Sequence, residues 1–278
     1  MQSNFIQTNN IKLHYLRYEG KQPTLILMHG LTANAHAFEG LIAAGLNEVC
    51  NIISVDLRGR GLSEQPETGY TMAEHAKDII GLLDHLKIEK AIIGGHSYGA
   101  LITFYMAAHY PERVDKMILL DAAARMHENT KEMLIPAMSR IGQTFPSFET
   151  YLNKIKTAAY FTFWNDAMLP YYKADIIENN DGTVTQRSKP AHIAEAITKV
   201  LAEPWMRYIK GVPQEAILIN GPGIYTLNAA LLPKENAMET VDMMQNCTYV
   251  EVFGNHQTML YREGAVQITA AIKSFLKN

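Results

Sequence analysis

The strongest candidate for chemistry in this sequence is a serine flanked by small residues. Gly95-His96-Ser97-Tyr98-Gly99 has the form G-x-S-x-G, follows the apolar run Ala91–Gly95 and precedes an apolar stretch over residues 100–109. A sharp turn between a strand and a helix exposes the central side chain of such a motif, and the glycines let the flanking backbone pack closely. The free amides at the start of a helix favour developing negative charge. We therefore predict that Ser97 is a nucleophile for acyl transfer.

A serine hydroxyl is a weak nucleophile unless a base removes its proton, so a histidine must lie near Ser97 in space. His256, in the segment Phe253–Gln257, directly follows the last apolar run of the chain. Serine before histidine is the chain order that accompanies a strand-to-helix serine turn. His256 is therefore the predicted general base.

Acyl transfer also needs two preorganised donors for the oxyanion of the tetrahedral intermediate. The segment Met28-His29-Gly30-Leu31 ends the second apolar run, and its glycine permits a tight turn that exposes backbone amides. We assign the two donors to the backbone N–H groups of Leu31 and of Tyr98, the residue after the nucleophile.

Short β-type runs alternate with helical periods along the chain, the pattern of an α/β sheet. Ile11–Tyr18 alternates, as in a half-exposed edge strand, whereas the later runs are mostly continuous, as in parallel strands that are covered on both faces. Helical periods include Ala76, Ile79, Ile80 and Leu83 after a Thr71/Glu74 capping box, and Ile268, Ala271, Ile272 and Phe275 near the C-terminus. The later predicted strands are Thr24–Met28, Ile52–Val55, Ala91–Gly95, Met117–Leu120, Ala216–Ile219 and Thr248–Phe253.

About 95 residues separate the run ending at Leu120 from the run beginning at Ala216, far more than the dozen or so that one crossover needs. This segment is rich in Met, Phe, Tyr and Trp, contains helical stretches, shows no convincing strand, and has a turn signal at residues 179–182. We predict an α/β core over residues 1–121 and 216–278, and a mostly helical cap over residues 122–215.

The chain resembles the α/β-hydrolase superfamily, in the serine carboxylesterase-like branch with a helical cap. The resemblance extends over nearly the whole chain and rests on four features: His29-Gly30 after a strand, the stretch Asp56–Ser63 (DLRGRGLS), the Ser97 turn, and His256 near the end. It implies a mostly parallel, eight-stranded-type sheet flanked by helices, with the cap inserted after the sixth strand. It also implies that Asp56 and Arg58 shape a loop and do not react.

The sequence departs from the family pattern at the acid that orients the histidine. Family members usually place a carboxylate after the strand that follows the cap, but here Ile224 occupies that position. Another branch has its acid at the end of the sixth strand, where this chain has Asp121. We predict that Asp121 holds the Nδ1–H of His256; the alternatives are Asp242, Glu235 and Glu239.

These residues predict a serine hydrolase that cleaves carboxylic esters through an acyl-enzyme, acting on a small apolar ester or lactone. Hydrolysis of lactones, including acyl-homoserine lactones, and of C–C bonds are alternatives within the same fold. A ligand-binding protein that has lost catalysis is the alternative from another class. Serine at position 97 excludes the aspartyl-ester route that relatives use on epoxides and halides.

Composition excludes several other classes of protein. The 278 residues are 47% hydrophobic with a formal charge of −3, and no run of five basic residues occurs, so nucleic acid is an unexpected partner. The first ten residues lack the pattern of an export signal, and no apolar stretch approaches the roughly 18 residues that span a bilayer. Cys50 and Cys247 cannot form a disulfide framework or a cysteine zinc site. We expect a cytoplasmic protein without metal, organic cofactor or membrane partner; the oligomeric state is open.

Overall fold

The computed structural model describes residues 1–277 and has a central sheet of eight strands. In spatial order the strands are β1-β2-β4-β3-β5-β6-β10-β11, with bounds given below. The two pairings that join the first three strands in this order are antiparallel, and all the others are parallel. The strands in chain order are β1 Gln2–Thr8, β2 Ile11–Tyr18, β3 Thr24–Met28, β4 Asn51–Val55, β5 Ala91–His96, β6 Val114–Leu120, β7 Thr144–Phe145, β8 Ile176–Glu178, β9 Val184–Gln186, β10 Glu215–Asn220 and β11 Cys247–Glu251.

Helices cover both faces of this sheet, so the predicted α/β-hydrolase fold with a mostly parallel sheet is confirmed. One core cluster lies between the sheet and α3, α4, α9 and α10, and a second lies between the opposite face and α1, α2 and α11. Within residues 1–277, none of the helices is long and apolar enough to cross a membrane. The helices are α1 Glu39–Ala43, α2 Leu46–Val49, α3 Met72–His85, α4 Tyr98–His109, α5 Thr130–Met138, α6 Phe148–Lys156, α7 Leu169–Ala174, α8 Pro190–Leu201, α9 Trp205–Gly211, α10 Lys234–Met243 and α11 Arg262–Phe275.

Burial explains which strands the sequence pattern revealed. Every residue of β3 and of β4 is buried, as their continuous apolar composition predicts. Strand β1 was not predicted, because Ile6 is its one buried residue and an edge strand of this kind shows no clear apolar alternation. Strand β1 forms by antiparallel pairing with β2, and its amino-acid composition does not indicate this pairing.

The segment between β6 and β10 contains five helices, as its composition predicts, and also a three-stranded antiparallel sheet in the order β7-β9-β8. The prediction that this segment lacks strands was therefore wrong. These strands have only two or three residues each, too few to establish a period of two. The turn signal at residues 179–182 lies at the hairpin between β8 and β9, where Gly182 has a φ of +83°.

The loop after β4 is fastened by buried ion pairs and hydrogen bonds. Arg58 donates two hydrogen bonds of 2.7 Å to the carboxylate of Asp78 on α3, and both side chains are buried. Asp56 accepts hydrogen bonds from the backbone amides of Ala35 and Leu62 and from the ring of His14. The loop is hydrogen-bonded to the segment after β3, through the amide of Leu57 and the side chain of Arg60, so its order matters for the site described below.

We predict that Arg58→Met lowers the free energy of unfolding by about 3–5 kcal/mol, because it leaves the Asp78 carboxylate buried without its counter-ion. The double variant Arg58→Met/Asp78→Leu should recover at least half of that loss. Urea unfolding followed by circular dichroism measures both. A loss below about 1 kcal/mol in the single variant would contradict this account.

Candidate active site

Ser97 lies at the turn between β5 and α4, in a backbone conformation that L-residues rarely adopt. Its φ is 54° and its ψ is −117°, and its amide donates to the carbonyl of Leu120 at the end of β6 at 2.9 Å. A strained residue persists only where the surrounding structure over-determines it. Here the sheet on one side and the helix on the other fix the turn, which leaves the Ser97 side chain half-buried at the N-terminus of α4.

The glycine that follows this turn permits α4 to approach the sheet. A Cβ atom at Gly99 would lie 2.0 Å from the carbonyl oxygen of Met28, and one at Gly95 would lie 2.2 Å from the carbonyl carbon of Gly99. No side chain fits at those distances, so the small residues of the motif are required by close backbone packing.

The structure brings Ser97, His256 and Asp121 into one hydrogen-bonded chain. His256 Nε2 lies 3.0 Å from Ser97 Oγ, and His256 Nδ1 lies 2.7 Å from Asp121 Oδ2. A carboxylate only accepts hydrogen bonds, so His256 carries its proton on Nδ1 and presents the Nε2 lone pair to the serine hydroxyl. The arrangement suits removal of the serine proton.

Asp121 is fully buried directly after β6. Its Oδ1 accepts hydrogen bonds from the side-chain amide of Asn220 and from the backbone amide of Gly221, both at 2.8 Å, while Oδ2 accepts from His256. Its own amide donates to the carbonyl of Ile219 at 2.8 Å, and its φ is +52°. Both carboxylate oxygens are thus held by donors from the end of β10 and from the histidine loop.

The other acids considered in the sequence lie elsewhere. Glu235, Glu239 and Asp242 are on α10, where Asp242 is exposed and Glu239 faces Arg125 at 3.6 Å. Ile224, at the usual family position of the acid, is 61% exposed. Among residues 1–277, the carboxylate in hydrogen-bond contact with the His256 ring is that of Asp121.

Neighbouring side chains fix the loop that carries His256. Asn255 is buried, and its side-chain oxygen accepts from the backbone amides of Gln257 and Thr258 at 3.0 and 2.9 Å. His96 donates from Nε2 to the backbone carbonyl of His256 at 2.8 Å. Burial, with the adjacent His256 imidazole, lowers the pKa of His96 well below its usual range, so this ring stays neutral. The backbone that carries the His256 ring is therefore held by hydrogen bonds at His256 itself and at the residues next to it.

The two amides predicted as oxyanion donors have no hydrogen-bond acceptor among the described residues. The amide of Tyr98 is the first of α4, and that of Leu31 follows the end of β3. A Cβ atom at Gly30 would lie 3.6 Å from the Cβ of Ser97, so the Gly30–Leu31 backbone runs directly beside the nucleophile. Both N–H groups are free to bind a negative oxygen near Ser97.

His29 holds the peptide that carries the Leu31 amide. Its Nε2 accepts from the backbone amide of Leu57 at 3.1 Å, so the proton is on Nδ1, which donates to the carbonyl of Gly30 at 2.7 Å. Burial lowers the pKa of His29 to about 4, which keeps this tautomer neutral at ordinary pH.

A cavity of about 60 Å³ lies over Ser97 and His256, and the segment between β6 and β10 forms part of its lining. A larger open cavity of about 640 Å³ is lined by residues such as Phe253 and Gln267, but not by Ser97, so it lies apart from the hydrogen-bonded chain. The smaller cavity is mainly apolar. Its lining comprises Gly30, Leu31, Thr32, Ala33, Ala37, His96, Ser97, Leu134, Ala137, Met138, Tyr171, Tyr225, His256, Gln257 and Leu260.

A second serine–histidine–aspartate chain occurs at the edge of the sheet. His14 lies 2.8 Å from Ser3 Oγ and 2.6 Å from Asp56 Oδ2. Ser3 is exposed on β1, is not at a helix N-terminus, and lines neither cavity described above. A serine–histidine–aspartate chain alone therefore does not mark a reactive centre; the free amides and the cavity make Ser97 the better candidate.

A family model described as alpha/beta hydrolase fold matches residues 23–175, more than half of the chain. The chain belongs to the α/β-hydrolase family. The chain is 35% identical over 140 residues to 2-(acetamidomethylene)succinate hydrolase of Mesorhizobium japonicum, a match that covers 49% of this chain and 50% of that protein. It is also 32% identical over 124 residues to 3-oxoadipate enol-lactonase 2 of Acinetobacter baylyi, covering 44% and 46%.

These matches span about half the length of the curated relatives. The likeness in structure is more extensive. A crystal structure of E-2-(acetamidomethylene)succinate hydrolase superposes with a TM-score of 0.83 at 24% identity and covers 100% of this chain and 99% of that one. At this identity the superposition shows that the two proteins share a fold, and no more than that.

Several contact residues of the site were not identified from the sequence. Asn220 and Asn255 are amides without a recognisable motif, and Tyr225 packs its ring edge-on against His256, with ring centroids 5.6 Å apart. Their positions at or just after the ends of β10 and β11 could have indicated them from the sequence, because sites in parallel sheets form at the carboxyl ends of the strands. His96 was noted only as a motif neighbour.

His75, on α3, packs edge-on against the ring of Tyr98. Its burial makes the stability of the folded protein depend on pH. It is fully buried, and neither ring nitrogen has a partner among residues 1–277. Burial, with the charges of Arg60 and Arg58, lowers its pKa well below the usual range. In the unfolded chain it binds a proton below about pH 6.5, so native stability is lost as the pH falls below that value.

We predict that His75→Phe raises the free energy of unfolding by about 1 kcal/mol at pH 7.5, since it removes unpaired buried polar atoms. At pH 5 the gain should be larger by up to about 2 kcal/mol, because the proton uptake of the unfolded chain is also removed. Urea unfolding at the two pH values measures this, with His85→Gln, an exposed residue of the same helix, as the matched control. Equal gains at both pH values would refute the prediction.

Proposed function

We propose that this protein is a serine hydrolase that cleaves carboxylic esters through an acyl-enzyme intermediate. The observation that carries the proposal is the chain from Ser97 Oγ to His256 Nε2 at 3.0 Å and from His256 Nδ1 to Asp121 at 2.7 Å. Free amides and a mainly apolar cavity adjoin the serine. These are the nucleophile, base, orienting acid and oxyanion donors that acyl transfer requires.

In the first half-reaction, Ser97 Oγ attacks the ester carbonyl as His256 Nε2 takes its proton. The carbonyl electron pair moves to the oxygen, which the amides of Leu31 and Tyr98 bind. Asp121 stabilises the imidazolium that forms. The C–O bond to the alcohol then breaks as His256 returns the proton to the leaving oxygen, and the acyl group stays on Ser97.

In the second half-reaction, water takes the place of the alcohol. His256 removes a proton from the water as its oxygen attacks the acyl carbonyl, and the oxyanion again lies at the same two amides. Collapse of the intermediate breaks the bond to Ser97 Oγ, which takes the proton back from His256. The products are the carboxylic acid and the free enzyme.

A second candidate is the hydrolysis of lactones, since one of the relatives is named an enol-lactonase. A lactone is a cyclic ester, so the attack of Ser97 and the roles of His256 are unchanged. The alcohol stays tethered to the acyl group until water releases both as one hydroxy acid or its keto form. Parallel assays with linear esters and lactones of similar size separate the two candidates.

We predict that Ser97→Ala reduces hydrolysis of p-nitrophenyl acetate to background and that Asp121→Asn lowers kcat about ten-thousandfold by disturbing the histidine tautomer. The matched control Asp242→Asn, an exposed acid, should retain wild-type activity. Steady-state kinetics and circular dichroism of each variant are the measurements. Hydrolysis by Ser97→Ala at the wild-type rate would overturn the proposed function, and a fully active Asp121→Asn would overturn the role of that acid.

The cavity of about 60 Å³ predicts a preference for short acyl groups, because it leaves little room for a long chain beside the reacting ester. We expect kcat/KM to fall from p-nitrophenyl acetate to butyrate to octanoate. Met138→Ala, which shortens a wall of the cavity, should raise the octanoate-to-acetate ratio. Ile135→Ala, on the exposed side of the same helix, is the control. A wild-type enzyme that prefers octanoate would contradict the size limit inferred from the cavity.

A further inference from the structure

The segment Gly30–Thr32, which we call the oxyanion loop, is held by side chains from three parts of the chain. Each of its three consecutive carbonyl oxygens accepts a hydrogen bond from a basic side chain. The first donor is His29, described above. The other two are Arg60, from the loop after β4, and Arg140, from the cap, just beyond the end of α5. Neither arginine was singled out by the sequence motifs for this role.

Arg60 is a buried cation directed at the loop. It is 1% exposed, and its Nε donates to the carbonyl of Leu31 at 2.7 Å, while Nη1 donates to the carbonyl of Arg58 at 3.1 Å. Within residues 1–277 it has no carboxylate within 4 Å. A buried charge without a counter-ion is costly, so carbonyl oxygens and the ring of Tyr70, 5.6 Å away, must compensate it.

Arg140 connects the cap to the same loop. Its Nη2 lies 3.3 Å from both the carbonyl and the hydroxyl oxygen of Thr32, and 3.2 Å from the hydroxyl of Tyr171. Its Nε faces the carboxylate of Asp175 at 3.4 Å, and both side chains are buried. One edge of the guanidinium thus faces a cap carboxylate, and another faces the core loop. The planar, five-donor group of an arginine can make both contacts at once, whereas the compact ammonium of a lysine cannot.

We propose that Arg60 and Arg140 are positioning residues of the oxyanion hole, which fix the Leu31 amide relative to Ser97 and make its geometry depend on the docked cap. The proposal rests on the proposed function. A donor must lie about 2.7–3.1 Å from the oxyanion, and displacement by about 1 Å can cost a hundredfold in rate. The two arginines reach the loop from opposite sides, one from the core and one from the cap.

The test replaces each arginine by lysine, which keeps the charge and changes the geometry. Arg60→Lys and Arg140→Lys should each lower kcat for p-nitrophenyl acetate about tenfold to a hundredfold, with KM changed less than about twofold because ground-state contacts are kept. Because both residues hold one loop, the rate effects in the double variant should be less than multiplicative. Arg187→Met, which removes a cap arginine that donates to the cap carbonyl of Ala174, is the control.

A second readout does not depend on the identity of the substrate. Diethyl p-nitrophenyl phosphate phosphorylates a reactive serine: the Oγ–P bond forms, the proton passes to His256, and one p-nitrophenolate leaves per Ser97. The phosphoryl oxygen occupies the oxyanion hole, so both lysine variants should react about tenfold or more slowly, and Arg187→Met should react at the wild-type rate. Thermal unfolding of all variants is measured in parallel.

The outcomes separate the two proposals. Wild-type phosphorylation rates in the lysine variants, or an equal loss in Arg187→Met at a similar melting temperature, would overturn the role of the arginines. Failure of the proposed function would instead appear as ester hydrolysis by the wild type no faster than by Ser97→Ala, whatever the arginine variants do. If one lysine variant does not fold, the other decides the question, since each arginine contacts a different carbonyl.

Discussion

The hydrogen bond between Asp121 and His256 depends on the register of two parallel strands. Leu120 pairs with Ile219, so β6 and β10 end together and place Asp121 beside the amide of Gly221. The final loop then brings His256 to the same edge of the sheet from the end of β11. A shift of one residue in this register would move Asp121 by about 3.3 Å along the strands and away from the amide of Gly221. The geometry around Ser97 is therefore a consequence of strand pairing as much as of local sequence.

The sequence predicted those parts of the molecule that local patterns determine. Strands buried on both faces have continuous apolar composition, and the serine turn needs glycines where backbone meets backbone, as at Gly99. Asp121 was predicted because a carboxylate was missing at position 224, and the structure places it against His256. Strand β1 and the short strands of the cap were not predicted, because pairing with distant segments forms them and their side chains are too exposed or too few to show a period.

The contacts that sequence reasoning missed are mostly long-range hydrogen bonds from unremarkable residues. Asn220 joins Asp121 to the hydroxyl of Tyr249, with donor–acceptor distances of 2.8 and 2.9 Å. Asn255 ties its loop to the carbonyl of Tyr160, far away in the cap. Such contacts follow no fixed spacing, because each joins segments about 30 to 100 residues apart. They become visible only when the fold has assembled the carboxyl ends of the strands.

The segment between β6 and β10 lines part of the partly open cavity and also contacts the loop beneath it through Arg140. Movement of α5 and the residues just after it would withdraw Arg140 from Thr32, and one carbonyl of the oxyanion loop would lose its side-chain donor. The bonds from His29 and Arg60 would remain, so on the proposed function a docked cap completes a loop that the core already holds in part. If Ser97 reacts as proposed, displacement of water by the docked cap also strengthens the oxyanion contact of the Leu31 amide, because such a contact is stronger in low-dielectric surroundings.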